Sequence, residues 1–151
     1  MAEFDIHRET VIKADPAQVQ ALIDDFHQWR KWSPWEDTDP SMERVYSGAD
    51  RGIGAHYSWN GNRKAGRGEM EITAATADSI GIRLNFEKPF KASNQVTFEF
   101  RPAGDTTEVT WRMTGQRQGL MAIIGKLVPM DRLVGKDFEK GLAQLKAAAE
   151  A

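Results

Sequence analysis

Apolar and polar positions alternate with a period of two through most of the middle of the chain, and recur at steps of three and four near both ends. Residues Phe4 to Lys13 mix charges with Ile6, Thr10, Val11 and Ile12, a β-compatible run that stops at Ala14-Asp15-Pro16. Val19, Leu22, Ile23 and Phe26 then share one helical face, with Asp15 placed to cap the helix and Pro16 at its first position. A further turn over 27–32 is halted by Ser33-Pro34, because the residue before a proline is driven out of the helical region. The stretch WSPWEDTDP (32–40) therefore reads as a loop.

From Met42 the pattern predicts strands separated by turn signals. A strand over 42–47 leads through Gly48 to Gly54 into a second, where Ala55, Tyr57 and Trp59 alternate with His56, Ser58 and Asn60. The glycine-rich GNRKAGRG (61–68) makes a hairpin connection into a strand carrying Met70 and Ile72 opposite Glu69 and Glu71. Three more runs follow, with Ile80, Ile82, Leu84 and Phe86, then Val96, Phe98 and Phe100, then Val109, Trp111 and Met113 on the apolar parity. Half-buried antiparallel strands have this alternation. Beyond Gly119 the period changes: Leu127, Met130, Val134, Phe138, Leu142 and Leu145 define a long amphipathic helix whose main segment starts at Pro129.

These elements make an α+β domain in which a curved antiparallel sheet of about seven strands wraps around a long C-terminal helix, with short helices after the first strand. No linker, repeat or low-complexity tract divides residues 1–151, which are read as a single domain. The inward parity carries large side chains, among them Tyr57, Trp59, Met70, Ile72, Leu84, Phe86, Phe98, Trp111 and Met113. They either interdigitate with Met130, Val134 and Phe138 as a close-packed core or line a cavity under the helix. Periodicity alone favours the packed core, since it does not register voids.

Composition narrows the function classes. The 151 residues are 40% apolar and 28% charged, as in folded globular chains, and the formal charge of −2 supplies no basic field for nucleic acid. The absence of cysteine excludes disulfides, thiolate metal ligands and a cysteine nucleophile. The first nine residues mix acids and bases where a signal peptide needs an apolar run, so a cytoplasmic protein is expected. The stretch from Leu120 to Met130 is interrupted by Gly125, Lys126 and Pro129 and is shorter than the ~20 residues of a spanning helix, which argues against stable membrane insertion. Its dense apolar side chains suit a lid, a membrane-surface contact or a homodimer contact, with simple packing of the helix's first turns as the alternative.

Three of the five tryptophans, Trp29, Trp32 and Trp35, fall within seven residues. Burying one removes ~150–250 Å² from water, a gain on the order of 4–6 kcal/mol at most. Trp32 and Trp35 therefore either plug one end of the domain or close over a ligand. Glu36, Asp37 and Asp39 stand beside them as weak acid–base candidates or as ordinary turn residues. His7, His27 and His56 are dispersed, so neither a metal nor another cofactor is expected, and His56 is a weak candidate base on the outward parity. Arg63, Lys64 and Arg67 read as a solvated turn rather than a phosphate loop, and Arg112 as a partner in a cross-sheet ion pair.

The order of WSPW before Asp39-Pro40, Gly52-Ile53-Gly54, Trp59-Asn60-Gly61-Asn62, Gly66-Arg67-Gly68 ahead of Met70, Lys88-Pro89-Phe90, Thr107 to Trp111 and Gly141 to Leu145 carries a further signal. It resembles the polyketide cyclase/dehydrase-type branch of the START-like (SRPBCC) superfamily. The resemblance implies a helix-grip fold with a deep hydrophobic cavity and, as partner, a small lipid-like, aromatic or polyketide-like molecule. Tyr57, Trp59, Met70, Ile72, Leu84, Phe86, Phe98, Trp111, Met113, Met130, Val134 and Phe138 would form the wall, and Trp32 and Trp35 the rim. Two alternatives stand beside a binding protein: a cyclase or dehydratase using Asp37, Asp39 or His56, and a co-chaperone-like interaction domain using the segment from Leu120 to Met130 as its partner surface.

Overall fold

A computed structural model describes residues 3–36, 41–62, 65–88, 91–116 and 130–151. Strand β1 (Glu3–Ile12) is followed by helix α1 (Pro16–Ala21) and a 3₁₀ helix (Phe26–Lys31); β2 (Glu43–Gly48), β3 (Ala55–Asn60), β4 (Arg67–Ala75), β5 (Ser79–Lys88), β6 (Ala92–Ala103) and β7 (Thr106–Gln116) come next, and helix α2 (Met130–Glu150) closes the order. The strands form one antiparallel sheet in the order β1-β7-β6-β5-β4-β3-β2. The helical segments after β1 thus carry the chain from one edge of the sheet to the other, from which it meanders back. This is the sheet and terminal helix expected from the pattern, in the helix-grip architecture that the resemblance implied, with strand ends shifted by a few residues at most sites and β3 matching residue for residue.

The first helix departs from expectation in an instructive way. Pro16 occupies its first position and Asp15 the capping position, but the Asp15 side chain makes no capping hydrogen bond. The helix also ends at Ala21 rather than reaching Phe26. The carbonyls freed at that end are satisfied by tryptophans: Trp32 Nε1 donates to the Leu22 carbonyl and Trp29 Nε1 to that of Ile23, each at 2.7 Å. Asp25 then caps the 3₁₀ helix, accepting from the His27 backbone N–H at 3.0 Å.

Helix α2 buries Phe138, Leu142, Leu145 and Ala149, one stripe at steps of three and four. It runs alongside β1, tied by Arg8 Nε to Glu139 at 3.0 Å, Lys146 Nζ donating to the Val11 carbonyl at 3.0 Å, and the Lys13 N–H donating to Glu150 at 2.9 Å. A Cβ at Gly141 would stand 2.7 Å from the Trp111 ring and 2.9 Å from Pro34. Glycine costs a helix interior about 1 kcal/mol relative to alanine, and here it lets the helix approach the sheet and the WSPW loop.

The outward parity is polar. Arg112 reaches Asp5 on β1 at 2.9 Å and Glu99 on β6 at 3.9 Å, the cross-sheet pairing expected of it. Arg83 pairs with Glu71 at 2.9 Å and Arg67 with Glu87 at 2.8 Å; such exposed pairs contribute little to stability individually.

Candidate functional site

The register aligns the inward side chains into rows that cross the concave face. One row runs Ile80, Phe98, Trp111 through β5, β6 and β7. All three are dry, and they meet the helix and the loop in a single aromatic stack: Trp111 lies on Phe98 at 5.0 Å, while Trp29 and Trp32 present edges to it at 6.5 and 5.5 Å. The adjoining row is Ile72, Ile82, Val96, Met113, Ile6, in which only Met113 exceeds 3% exposure. This half of the concave face is closed core.

The next row is Tyr57, Met70, Leu84, Asn94, Gly115, Phe4, whose side chains retain 5–8% exposure. Beyond it lie Arg44, Trp59, Gly68, Phe86 and Ala92, where Trp59 and Phe86 are only half-buried. Trp59 is held from both sides: its Nε1 donates to the Ala65 carbonyl at 2.9 Å, and its ring stands perpendicular to Phe86 at 5.7 Å. Accessibility therefore rises stepwise along the strands, away from the aromatic stack and toward the rows of Met70 and Trp59.

This arrangement divides the residues expected to form one wall. Phe98, Trp111, Phe138 and Ile72 belong to the dry half. Trp59 and Phe86 are the half-buried members at the accessible end, and Tyr57, Met70, Leu84 and Met113, buried but 5–8% exposed, lie between them and the dry half. Val134 is half-buried one turn before Phe138. Met130 begins α2, and its side chain, like Asp37, Asp39, Arg63, Lys64 and the segment from Leu120 to Pro129, lies outside the described residues.

The WSPW loop also divides. Trp32 has no exposed surface and sits inside the aromatic stack rather than at a rim, because its indole N–H is committed to the end of α1. Trp35 is half-buried, edge-on to Trp111 at 5.5 Å, with its Nε1 donating to Asp137 on α2 at 3.1 Å. Glu36 accepts two hydrogen bonds from Arg44, at 2.7 and 3.0 Å, and both side chains are 13% exposed. Burial pulls the Arg44 guanidinium down, but Glu36 outweighs it and holds the group above its ordinary value, so the guanidinium keeps its charge. Burial, reinforced by the Glu36 charge, raises the Tyr57 and Tyr46 hydroxyls, which remain protonated donors.

His56 faces away from the apolar surface. Its Nδ1 is 3.2 Å from Ser47 Oγ and its Nε2 3.6 Å from Glu69, beside a shallow groove of about 180 Å³ at the β2 edge. Arg44 and Asn94 are inward polar groups that escaped the sequence reading, as did Arg8 at the β1 edge. Asn94 continues the parity of Val96 and Phe98 by one step, a signal available had the alternation been followed upstream.

Residues 3–150 match the family described as polyketide cyclase / dehydrase and lipid transport. The chain belongs to that family. Solved structures agree in fold: protein CV1439 from Chromobacterium violaceum is similar with a TM-score of 0.69 at 14% identity, over 97% of each chain. The Aha1 dimer from Colwellia psychrerythraea gives 0.67 at 17%, over 97% of this chain and 96% of that one. DynU16, from the dynemicin biosynthetic locus, gives 0.67 at 12%, with this chain spanning 47% of its length. A search of curated proteins returns no match. No helix among the described residues is long and apolar enough to cross a membrane.

Proposed function

We propose that this polyketide cyclase/dehydrase and lipid transport family member, acting as one START-like domain, binds a small hydrophobic molecule over the accessible half of its concave face. Trp59, Phe86, Met70, Leu84 and Tyr57 contact the ligand there, and Trp35 flanks it. The observation that carries the reading is the step in accessibility between neighbouring rows of one apolar face. Two large aromatic side chains, Trp59 and Phe86, left half-wet next to a dry core are costly in a resting protein and useful under a ligand. The family described by lipid transport and polyketide cyclisation supports the same chemistry.

The test is native purification, extraction with organic solvent and mass spectrometry of what co-purifies, beside a Trp59→Ala/Phe86→Ala variant. A stoichiometric compound present in the wild type and lost in the variant is the expected result. Phe98 is unsuitable for that control, since truncating a dry core phenylalanine costs about 3–5 kcal/mol and unfolds rather than empties the site. Repeated absence of any compound, together with no response of tryptophan fluorescence to apolar naphthalene probes, would reject the reading.

A further inference from the structure

The row Tyr57, Met70, Leu84, Asn94, Gly115, Phe4 holds one carboxamide among apolar and aromatic side chains. Asn94 is 8% exposed, and no hydrogen bond to its carboxamide is found among the described residues. Its direction is set by the neighbouring strand: a Cβ at Gly115 would collide with Asn94 Oδ1 and stand 2.9 Å from the Phe4 ring. The carboxamide thus lies on the concave face, in the space that a side chain at position 115 would fill. The described polar atoms that are enclosed without a partner are Asp24 Oδ1, Tyr46 Oη and Trp111 Nε1, and the Asn94 amide is not among them: it keeps contact with water on this face, which a ligand's hydrogen-bonding group can replace.

Charge on the same face is neutralised internally. Arg44 is engaged by Glu36, and Arg8, on the inward parity at the β1 edge, pairs with Glu139. An ionised ligand would therefore find no uncommitted counter-charge among these described groups, whereas a neutral carbonyl or hydroxyl finds a donor and an acceptor in Asn94.

We infer that Asn94 is the polar anchor of this concave face and selects neutral, flat apolar molecules that carry a carbonyl or hydroxyl group. The inference rests on the binding function proposed above and adds the ligand's chemical class. Leucine at position 94 keeps the branched skeleton, with somewhat bulkier ends, and removes hydrogen bonding; aspartate preserves shape and, when ionised, removes the N–H donor.

Two probes of similar shape separate the possibilities: 2-acetylnaphthalene, which accepts a hydrogen bond, and 2-ethylnaphthalene, which does not. Dissociation constants come from tryptophan fluorescence and calorimetry on the full chain. The wild type should prefer the ketone by roughly tenfold, as one net hydrogen bond implies. Asn94→Leu should erase that preference while leaving the hydrocarbon's affinity within about twofold, and Asn94→Asp at neutral pH should also lose it. Equal affinities in the wild type, or a preference that persists in both variants, would overturn the anchor role while leaving the proposed binding function standing. If neither probe binds the wild type, the binding reading falls and the anchor role with it.

Discussion

The Trp111 and Phe138 rings lie face to face, with centroids 4.1 Å apart and planes inclined by 11°. This contact, with the close approach of Gly141 to the same indole, seats α2 against β7 at the point where Trp29, Trp32, Trp35 and Phe98 also converge. Phe138→Ala should therefore lower unfolding free energy by about 3–5 kcal/mol, the cost of a large cavity in a dry core. A loss below 1 kcal/mol in urea denaturation would contradict the stack's role as the fold's anchor.

Gly141→Ala tests the approach of helix and sheet. Propensity alone predicts a gain of about 1 kcal/mol, but the added methyl meets Trp111 and Pro34 at under 3 Å. The expected net effect is a loss of about 1–3 kcal/mol, read from the same denaturation curves. A stabilised variant would mean that the loop and ring shift without cost.

Trp32 and Trp59 should behave oppositely. Trp32→Phe removes the donor that satisfies the Leu22 carbonyl and leaves space in a dry core, with an expected loss of about 2–4 kcal/mol. Trp59→Phe, at a half-buried position, should cost about 1 kcal/mol or less and instead weaken binding of naphthalene probes. Similar stability losses for the two would erase the distinction between closed and accessible halves.

The Glu36–Arg44 pair is suited to a double-mutant cycle. Glu36→Gln leaves a mostly buried guanidinium without its counter-charge and should cost about 1–3 kcal/mol, less than for a wholly buried pair because both groups keep some water. Glu36→Gln with Arg44→Met should recover part of that loss, giving a positive coupling energy. Additive effects would show that the two charges act independently.

Alkaline conditions should destabilise the protein through its inward tyrosines. Burial raises the Tyr57 hydroxyl, and Tyr46 less, above the unfolded value near ~10. Because the folded state holds these protons more tightly, their contribution is complete below about pH 10 and is lost as pH rises toward the raised values. Urea midpoints should fall as pH rises above about 10, and Tyr57→Phe should flatten that fall. Parallel declines in wild type and variant would remove Tyr57 from the account.

Much of the architecture is determined by the sequence alone, for a local reason. The period of two around Tyr57-Trp59 and Val96-Phe98, and the steps of three and four from Val134 to Leu145, encode which face of each element must leave water. Turn residues mark where those faces reverse, so the strands, their order in the meander and the terminal helix are readable without contacts. Membership of the START-like superfamily was visible for the same reason, since it lies in the order and spacing of short local stretches. Tertiary structure decided the rest. Whether Trp32 rims a pocket or plugs a core depends on the carbonyl that α1 leaves free at Leu22, a partner ten residues away in sequence and defined only once the helix stops. The division of one apolar parity into a dry half and an accessible half depends on where α2 and the 3₁₀ helix cover the sheet. Asn94 is an ordinary strand residue in sequence; it becomes a lone carboxamide on an apolar surface only through its register with Leu84 and Gly115. Periodicity specifies direction, whereas burial and hydrogen-bond satisfaction are properties of residues brought together from distant parts of the chain.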